Sequence, residues 1–152
     1  MTNTVLPALP DPAVAVGAEA LDWREAVRAA ASVLESAGAV TAGYGDRMVE
    51  LVEQHGPYIV IAPGVALAHA RPGDDVLATG WAVVTLAEPV VFGEPHHDPV
   101  SVVVGFAATG PDEHVSGVAR VANLFNDEGL AARLAAAPDA DALRAALLDA
   151  LG

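Results

Sequence analysis

Two runs of the chain, residues 80–86 and 100–108, are rich in valine and nearly free of charged side chains. Continuous apolar runs of this length predict β-strands that are buried on both faces of a sheet. Turn-forming residues, Glu88, Pro89 and 93–99, separate the two runs and predict a loop between them. Helices must therefore cover both faces of a central sheet.

Helical patterns flank these strands on both sides. Apolar residues at helical spacing predict four helices, over residues 23–37, 41–55, 111–125 and 138–151. Asp22 and Thr41 are the predicted N-caps of the first two helices, and Pro138 is predicted to start the last one. Val115 is expected on the inner face of the third helix, together with Val118, Ala122 and Phe125.

Shorter apolar runs predict three more strands, at residues 13–16, 58–62 and 65–70. The predicted fold class is α/β: a single-domain three-layer α/β/α sandwich with a mixed β-sheet flanked by helices. A chain of 152 residues has the length of one domain, residues 1–152. Residues 1–12 contain three prolines and are expected to form an extended N-terminal arm.

The charge balance restricts the partners. Lys and Arg number 7 against 20 Asp and Glu, which gives a net charge of −13 and argues against nucleic-acid and anionic-membrane surfaces. A partner with a basic patch is favoured. Cysteine is absent, which excludes disulfides and thiol catalysis. With neither a signal-peptide pattern nor an apolar run of ~20 residues, a cytoplasmic location is expected.

Histidines are the candidates for chemistry, because all seven basic residues are arginine and no phosphate-binding glycine loop is present. His69 ends an apolar strand between small residues, with Arg71 near enough to reach an anion. Taken alone, a histidine in such a place is more often a hydrogen-bonded structural residue. His114 follows Asp112 and Glu113 at a helix start, where backbone N–H groups can bind anions.

The other three histidines have simpler interpretations. His55 lies at a helix end, where the helix dipole favours a histidine for structural reasons. His96 and His97 lie beside Asp98 in a proline-rich loop. A metal site made by these three residues with His69 is an alternative, although adjacent ligands rarely point the same way. We therefore expect no metal.

One long segment carries a family resemblance. Residues 50–72, Glu-Leu-Val-Glu-Gln-His-Gly-Pro-Tyr-Ile-Val-Ile-Ala-Pro-Gly-Val-Ala-Leu-Ala-His-Ala-Arg-Pro, resemble the IIA component of the sugar phosphotransferase system (PTS). The similarity is to the mannitol/fructose-type superfamily (EIIA type 2), and within it to the ascorbate-specific branch. It extends over residues 18–150, with shorter matches at 89–92, 98–100 and 121–125.

The resemblance implies a phosphocarrier. His69 would accept a phosphoryl group on Nε2 (tele-phosphohistidine) from the phosphocarrier protein HPr, and would pass it to a cysteine of a IIB component. The IIC permease would then move ascorbate or a related sugar. His114 would help to hold the phosphoryl group, and Arg71 is a candidate phosphate-binding residue. No cofactor is implied, and the oligomeric state, a homodimer included, is left open.

The chain departs from its relatives at two positions. Many relatives carry Pro directly before the active histidine, where this chain has Ala68, and mannitol- and fructose-type members place an Arg where it has Glu53. Two alternatives to the carrier stay open. One is a regulatory module whose phosphorylation state a partner protein reads, and the other, suggested by Ala68, is a degenerate IIA-like protein that HPr does not label.

Overall fold

A mixed five-stranded sheet forms the centre of the computed structural model, which describes residues 9–152. The strands lie in the order β1-β4-β5-β3-β2, with bounds β1 Ala13–Ala18, β2 Val60–Ala62, β3 Val65–His69, β4 Gly80–Val90 and β5 Val100–Ala107. The pairs β1–β4 and β3–β5 are parallel, whereas β4–β5 and β2–β3 are antiparallel. The predicted mixed sheet is confirmed.

Helices cover both faces of the sheet. One core contains side chains of α1 (Trp23–Ser36) and α2 (Gly43–His55), packed on strand residues such as Ala66 and Val84. The opposite core contains Leu67 and Trp81, packed on the three C-terminal helices, α3 (Pro111–Leu124), α4 (Leu130–Ala135) and α5 (Ala140–Leu151). Neighbouring residues of a strand point to opposite faces, so each continuous apolar run contributes side chains to both cores. The three-layer sandwich is confirmed.

Several local predictions are wrong. The second helix is capped by Ala42 rather than Thr41, and its cap side chain cannot accept a hydrogen bond. The last helix begins at Ala140, where Asp139 accepts a hydrogen bond from the Ala142 N–H at 2.8 Å, rather than at Pro138. By contrast, the Asp22 cap is confirmed by its bond to the Glu25 N–H at 2.9 Å.

Tertiary packing overrides the sequence pattern at three more places. Glu88 and Pro89 belong to β4 instead of a loop, because the strand continues through an irregularity in its pairing with β5. Helix α4 was not predicted, since six residues are too few to show a helical period. Val115 is 69% exposed and does not face the core.

Part of the predicted arm falls in the described chain. Residues 9–12 lie outside the helices and strands, and the Pro10 carbonyl accepts a hydrogen bond from the Trp81 indole at 2.6 Å. Residues 1–8 lie outside the described part, and the prediction for them stays a prediction. Within residues 9–152, no helix has the length and apolar character needed to cross a bilayer.

Candidate active site

His69 is the last residue of β3 and pairs with Phe106 of the parallel strand β5. Its Nδ1 lies 2.9 Å from the Leu67 carbonyl oxygen. A carbonyl oxygen can only accept, so Nδ1 carries the proton and Nε2 keeps its lone pair. Burial lowers the pKa of His69 below its ordinary value, although the bond to Leu67 opposes this. The ring is therefore a neutral imidazole whose Nε2 keeps a lone pair that could act as a nucleophile.

His114 lies beside His69, with 5.5 Å between the ring centroids. Helix α3 brings it there by approaching the sheet at Gly117, where a Cβ atom would lie 2.0 Å from the Phe106 ring. Burial, followed by the charges of His69 and Arg71, lowers the pKa of His114. Its Nδ1 is buried without a hydrogen-bond partner among residues 9–152. An imidazole with an unpaired Nδ1 thus lies beside the His69 ring.

The two histidines line a surface cavity of about 270 Å³. It is lined by Leu51, His55, Tyr58, His69, Ala70, Arg71 and His114. Within the described chain no acidic side chain lines this cavity, although the whole protein carries a net charge of −13. The cavity therefore suits an anion.

Sequence reasoning placed His55 in a structural role and did not single out Tyr58. The Tyr58 ring stands edge-on to both His69 and His55, with centroid distances of 6.1 and 6.2 Å. Edge-to-face contacts of this kind restrict ring orientation. Both residues belong to the Glu-Gln-His-Gly-Pro-Tyr stretch that leads to His69, so their nearness to His69 in the sequence was the available signal.

Arg71 lines the cavity from the loop that follows β3. Its carbonyl oxygen accepts a hydrogen bond from the Arg47 guanidinium at 2.7 Å, and the same guanidinium makes two bonds of 2.7 Å to the Asp75 carboxylate. Two parallel bonds of this kind fix geometry as well as charge, and the pKa of Asp75 is lowered by its bond to Arg47. The loop is thus held at Arg71 and at Asp75, which keeps Arg71 beside the cavity.

The remaining polar candidates serve other purposes. The Asp98 carboxylate accepts hydrogen bonds from the backbone N–H groups of Phe92, Gly93 and Glu94 at 2.8–2.9 Å, so it orders its own loop. Within residues 9–152, no three His, Asp or Glu side chains come together as a metal-binding group. Glu53 forms an ion pair with Arg24 at 3.4 Å on the surface.

The lowered histidine pKa values predict lower stability in mild acid. The ordinary pKa is 6.5, and burial lowers the pKa of both His69 and His114 in the folded state. The unfolded chain therefore binds protons on these rings at a higher pH than the folded chain does. The free energy of unfolding should fall as pH drops through 6.5, and should keep falling until the folded pKa values are reached.

Urea unfolding at about pH 7.5 and about pH 5.5 checks this, because ordinary carboxylates stay charged over most of that range. The double variant His69→Gln/His114→Gln should lose less stability between the two conditions than the wild-type protein. An equal loss in both proteins would contradict the assignment of the effect to these rings.

Comparison with known proteins identifies the family. The profile of the family described as "Phosphoenolpyruvate-dependent sugar phosphotransferase system, EIIA 2" matches residues 9–150. The chain belongs to this EIIA family. The "Ascorbate-specific PTS system EIIA component" of Escherichia coli strain K12 is 41% identical over 112 residues, 73% of each chain. The predicted resemblance to the ascorbate-specific branch of the EIIA family is thereby confirmed.

Solved EIIA structures share the fold. IIA mannitol from Escherichia coli superposes with a TM-score of 0.77 at 28% identity, covering 95% of this chain and 99% of that one. The same organism's enzyme IIA for mannitol, solved in complex with phosphorylated enzyme IIB, gives a TM-score of 0.73 at 27% identity, covering 95% and 96%. The sheet and helices described above are therefore those of an EIIA fold.

Proposed function

We propose that this EIIA protein is a phosphohistidine carrier that receives its phosphoryl group on His69 Nε2. The donor is the phosphohistidine of HPr: its N–P bond breaks as the new N–P bond to Nε2 forms, and no proton needs to be gained or lost at the acceptor. In the second step the N–P bond to His69 breaks while a cysteine thiolate of a IIB component forms an S–P bond. The observation that carries this proposal is the Nδ1 bond to the Leu67 carbonyl, which leaves Nε2 as the nucleophile.

The surroundings of His69 support the carrier role. Phosphoryl transfer depends on positioning and on donors for the equatorial oxygens, and the Arg71 guanidinium and the His114 ring lie at the cavity to supply them. The apolar side chains of Leu51 and Ala70 line the same cavity and limit access of water. The net charge of −13 favours fast encounter with a basic carrier.

The relatives support the proposed acceptor and the proposed substrate. The mannitol enzyme IIA of similar fold was solved with its phosphorylated enzyme IIB, which supports a IIB component as the acceptor. The relative that is 41% identical is ascorbate-specific, so we assign ascorbate or a related sugar as the transported compound. A single EIIA domain spanning residues 1–152 would then work in the cytoplasm, between HPr and the permease complex.

Labelling by phosphoenolpyruvate, enzyme I and HPr tests the proposal. Intact mass should show one added phosphoryl group, and phosphorus NMR should identify it as attached to Nε2. Adding a cognate IIB component should then remove the label. Labelling that no IIB component removes would favour the regulatory alternative, whereas an unlabelled protein beside a labelled control IIA would favour the degenerate one.

His114→Ala is expected to accept the phosphoryl group but to pass it on more slowly. The ring lies 5.5 Å from His69 between centroids, and removing it takes away a donor for the transferring group. Loss of one such donor costs roughly 10²-fold to 10³-fold in rate in a preorganised site. Rapid-quench measurement of transfer to IIB checks this, with Ser116→Ala, a half-buried position of the same helix that does not line the cavity, as the control. Wild-type transfer in His114→Ala would contradict the role.

A further inference from the structure

Tyr44 is a fully buried residue of α2 whose hydroxyl group lies between the ends of two strands. The hydroxyl oxygen accepts a hydrogen bond from the Ala70 N–H at 2.9 Å and donates to the Phe106 carbonyl at 2.7 Å. The Ala70 carbonyl also lies 3.1 Å from the same oxygen. Three backbone groups, two from Ala70 directly after β3 and one from Phe106 in β5, thus surround one side-chain atom.

These contacts occur where the two strands separate. His69 and Phe106 are the last residue pair of the β3–β5 ladder, and Ala70 follows directly. Beyond this point β3 continues into the loop of Arg71, while β5 ends at Ala107 and leads to α3. Without a partner, the Ala70 N–H and the Phe106 carbonyl would be buried polar groups with no hydrogen bond, which is unfavourable. The Tyr44 hydroxyl takes the place of the next rung of the ladder.

We propose that Tyr44 is a positioning residue for phosphoryl transfer: its hydroxyl ties the ends of β3 and β5 together and so fixes His69 relative to His114. The connection to His114 runs through Phe106, whose ring lies 6.4 Å from the His114 ring between centroids. The same phenyl ring contacts α3 at Gly117. This inference rests on the proposed carrier function and assigns to it a residue that does not touch the phosphoryl group.

The Tyr44 hydroxyl keeps its hydrogen bonds to both strand ends over a wide pH range. Burial raises the pKa of Tyr44 to about 12. The hydroxyl therefore stays protonated and can donate and accept at once. The Arg47 guanidinium lies 5.3 Å from the Tyr44 ring centroid and donates a hydrogen bond to the Arg71 carbonyl. The contact that holds the strand ends and the one that holds the Arg71 loop therefore both come from the N-terminal end of α2.

Tyr44→Phe tests the proposal because it removes the hydroxyl and keeps the ring. Thr85→Val is the matched control: Thr85 is buried, and its hydroxyl accepts the Gly17 N–H at 3.0 Å. Thr85 pairs with Val102, four residues along β5 from Phe106, so the control also loses a buried hydroxyl but away from the histidines. Both variants should be less stable in urea than the wild-type protein.

The two variants should differ in transfer. Displacement of a reacting group by a fraction of an ångström lowers turnover strongly, so Tyr44→Phe should reduce the kcat for acceptance from HPr by about tenfold with KM unchanged. The imidazole nitrogen NMR signature of the Nδ1–H form of His69 should weaken in parallel. Thr85→Val should change neither quantity.

Two results would overturn the proposal. One is wild-type kcat together with an unchanged His69 signature in Tyr44→Phe. The other needs no variant: in the wild-type protein, the Ala70 amide should exchange with deuterium as slowly as the central strand amides, and exchange at loop rates would show that no tie exists. Failure of HPr to label the wild-type protein would instead refute the carrier function, while the nitrogen NMR and exchange measurements would still test the tie.

Discussion

His69→Ala is expected to reduce phosphorylation by HPr to the background level. In the proposed reaction the new N–P bond forms at His69 Nε2, and alanine offers no nucleophile in its place. His114 cannot substitute without rearrangement, because its ring belongs to α3 and lies 5.5 Å from the His69 ring between centroids. Intact mass after labelling with phosphoenolpyruvate, enzyme I and HPr measures the effect directly.

The control for this experiment is a second histidine. His96→Ala alters a loop residue outside the cavity and should be labelled at the wild-type rate. His69→Gln is the second variant, since glutamine keeps a polar side chain near the Leu67 carbonyl and guards against loss of the fold. Circular dichroism confirms folding of each protein. Acceptance of the label at the normal rate by either His69 variant would show that the phosphoryl group is carried elsewhere.

Gly117→Ala is expected to destabilise the protein, although the same change in an open helix is usually favourable. Replacing a helical glycine with alanine normally stabilises by roughly 0.5–1 kcal/mol, because alanine loses less backbone entropy. At Gly117, however, the added Cβ would lie 2.0, 2.6 and 2.8 Å from atoms of the Phe106 ring. Forcing a methyl group into such a packed contact costs about 1–3 kcal/mol. Urea denaturation should therefore show a lower free energy of unfolding.

Gly43→Ala is the matched control for Gly117→Ala. Gly43 begins α2, and a Cβ atom there would meet nothing within 4 Å. Gly43→Ala should leave the protein as stable as wild type or up to about 1 kcal/mol more stable. Because His114 precedes Gly117 by one helical turn, Gly117→Ala should also slow transfer to IIB. Wild-type stability of Gly117→Ala would mean that α3 does not rest on Phe106.

Local pattern predicted most of the sheet and four of the five helices. Valine-rich runs and helical periodicity depend only on neighbouring residues, so β4, β5 and α1 could be predicted. The exceptions have physical reasons. Helix α4 is too short to show a period. Glu88 and Pro89 lie inside β4, in the irregular stretch between its Thr85–Val102 and Val90–Val100 pairs, and the pairing that resumes at Val90 is not visible in a local pattern. Val115 has the spacing of a helical apolar face, but it lies on the side of α3 that is exposed to solvent.

The sequence by itself determined the family and the histidine to examine. The segment ending in His69, Ala70 and Arg71 is continuous in the chain, so its resemblance to EIIA proteins needs no knowledge of contacts. The composition likewise indicated an acidic protein with no thiol chemistry. Information of this kind is carried by residue type and order alone.

Tertiary structure decided which nitrogen of that histidine keeps a lone pair and what surrounds the ring. The Nδ1 bond to the Leu67 carbonyl selects Nε2, and the approach of α3 at Gly117 brings His114 from a distant part of the chain. The Tyr44 hydroxyl reaches two strand ends at once. Such contacts join residues far apart in sequence, and they depend on how closely helices pack on the sheet, a property that no local pattern encodes.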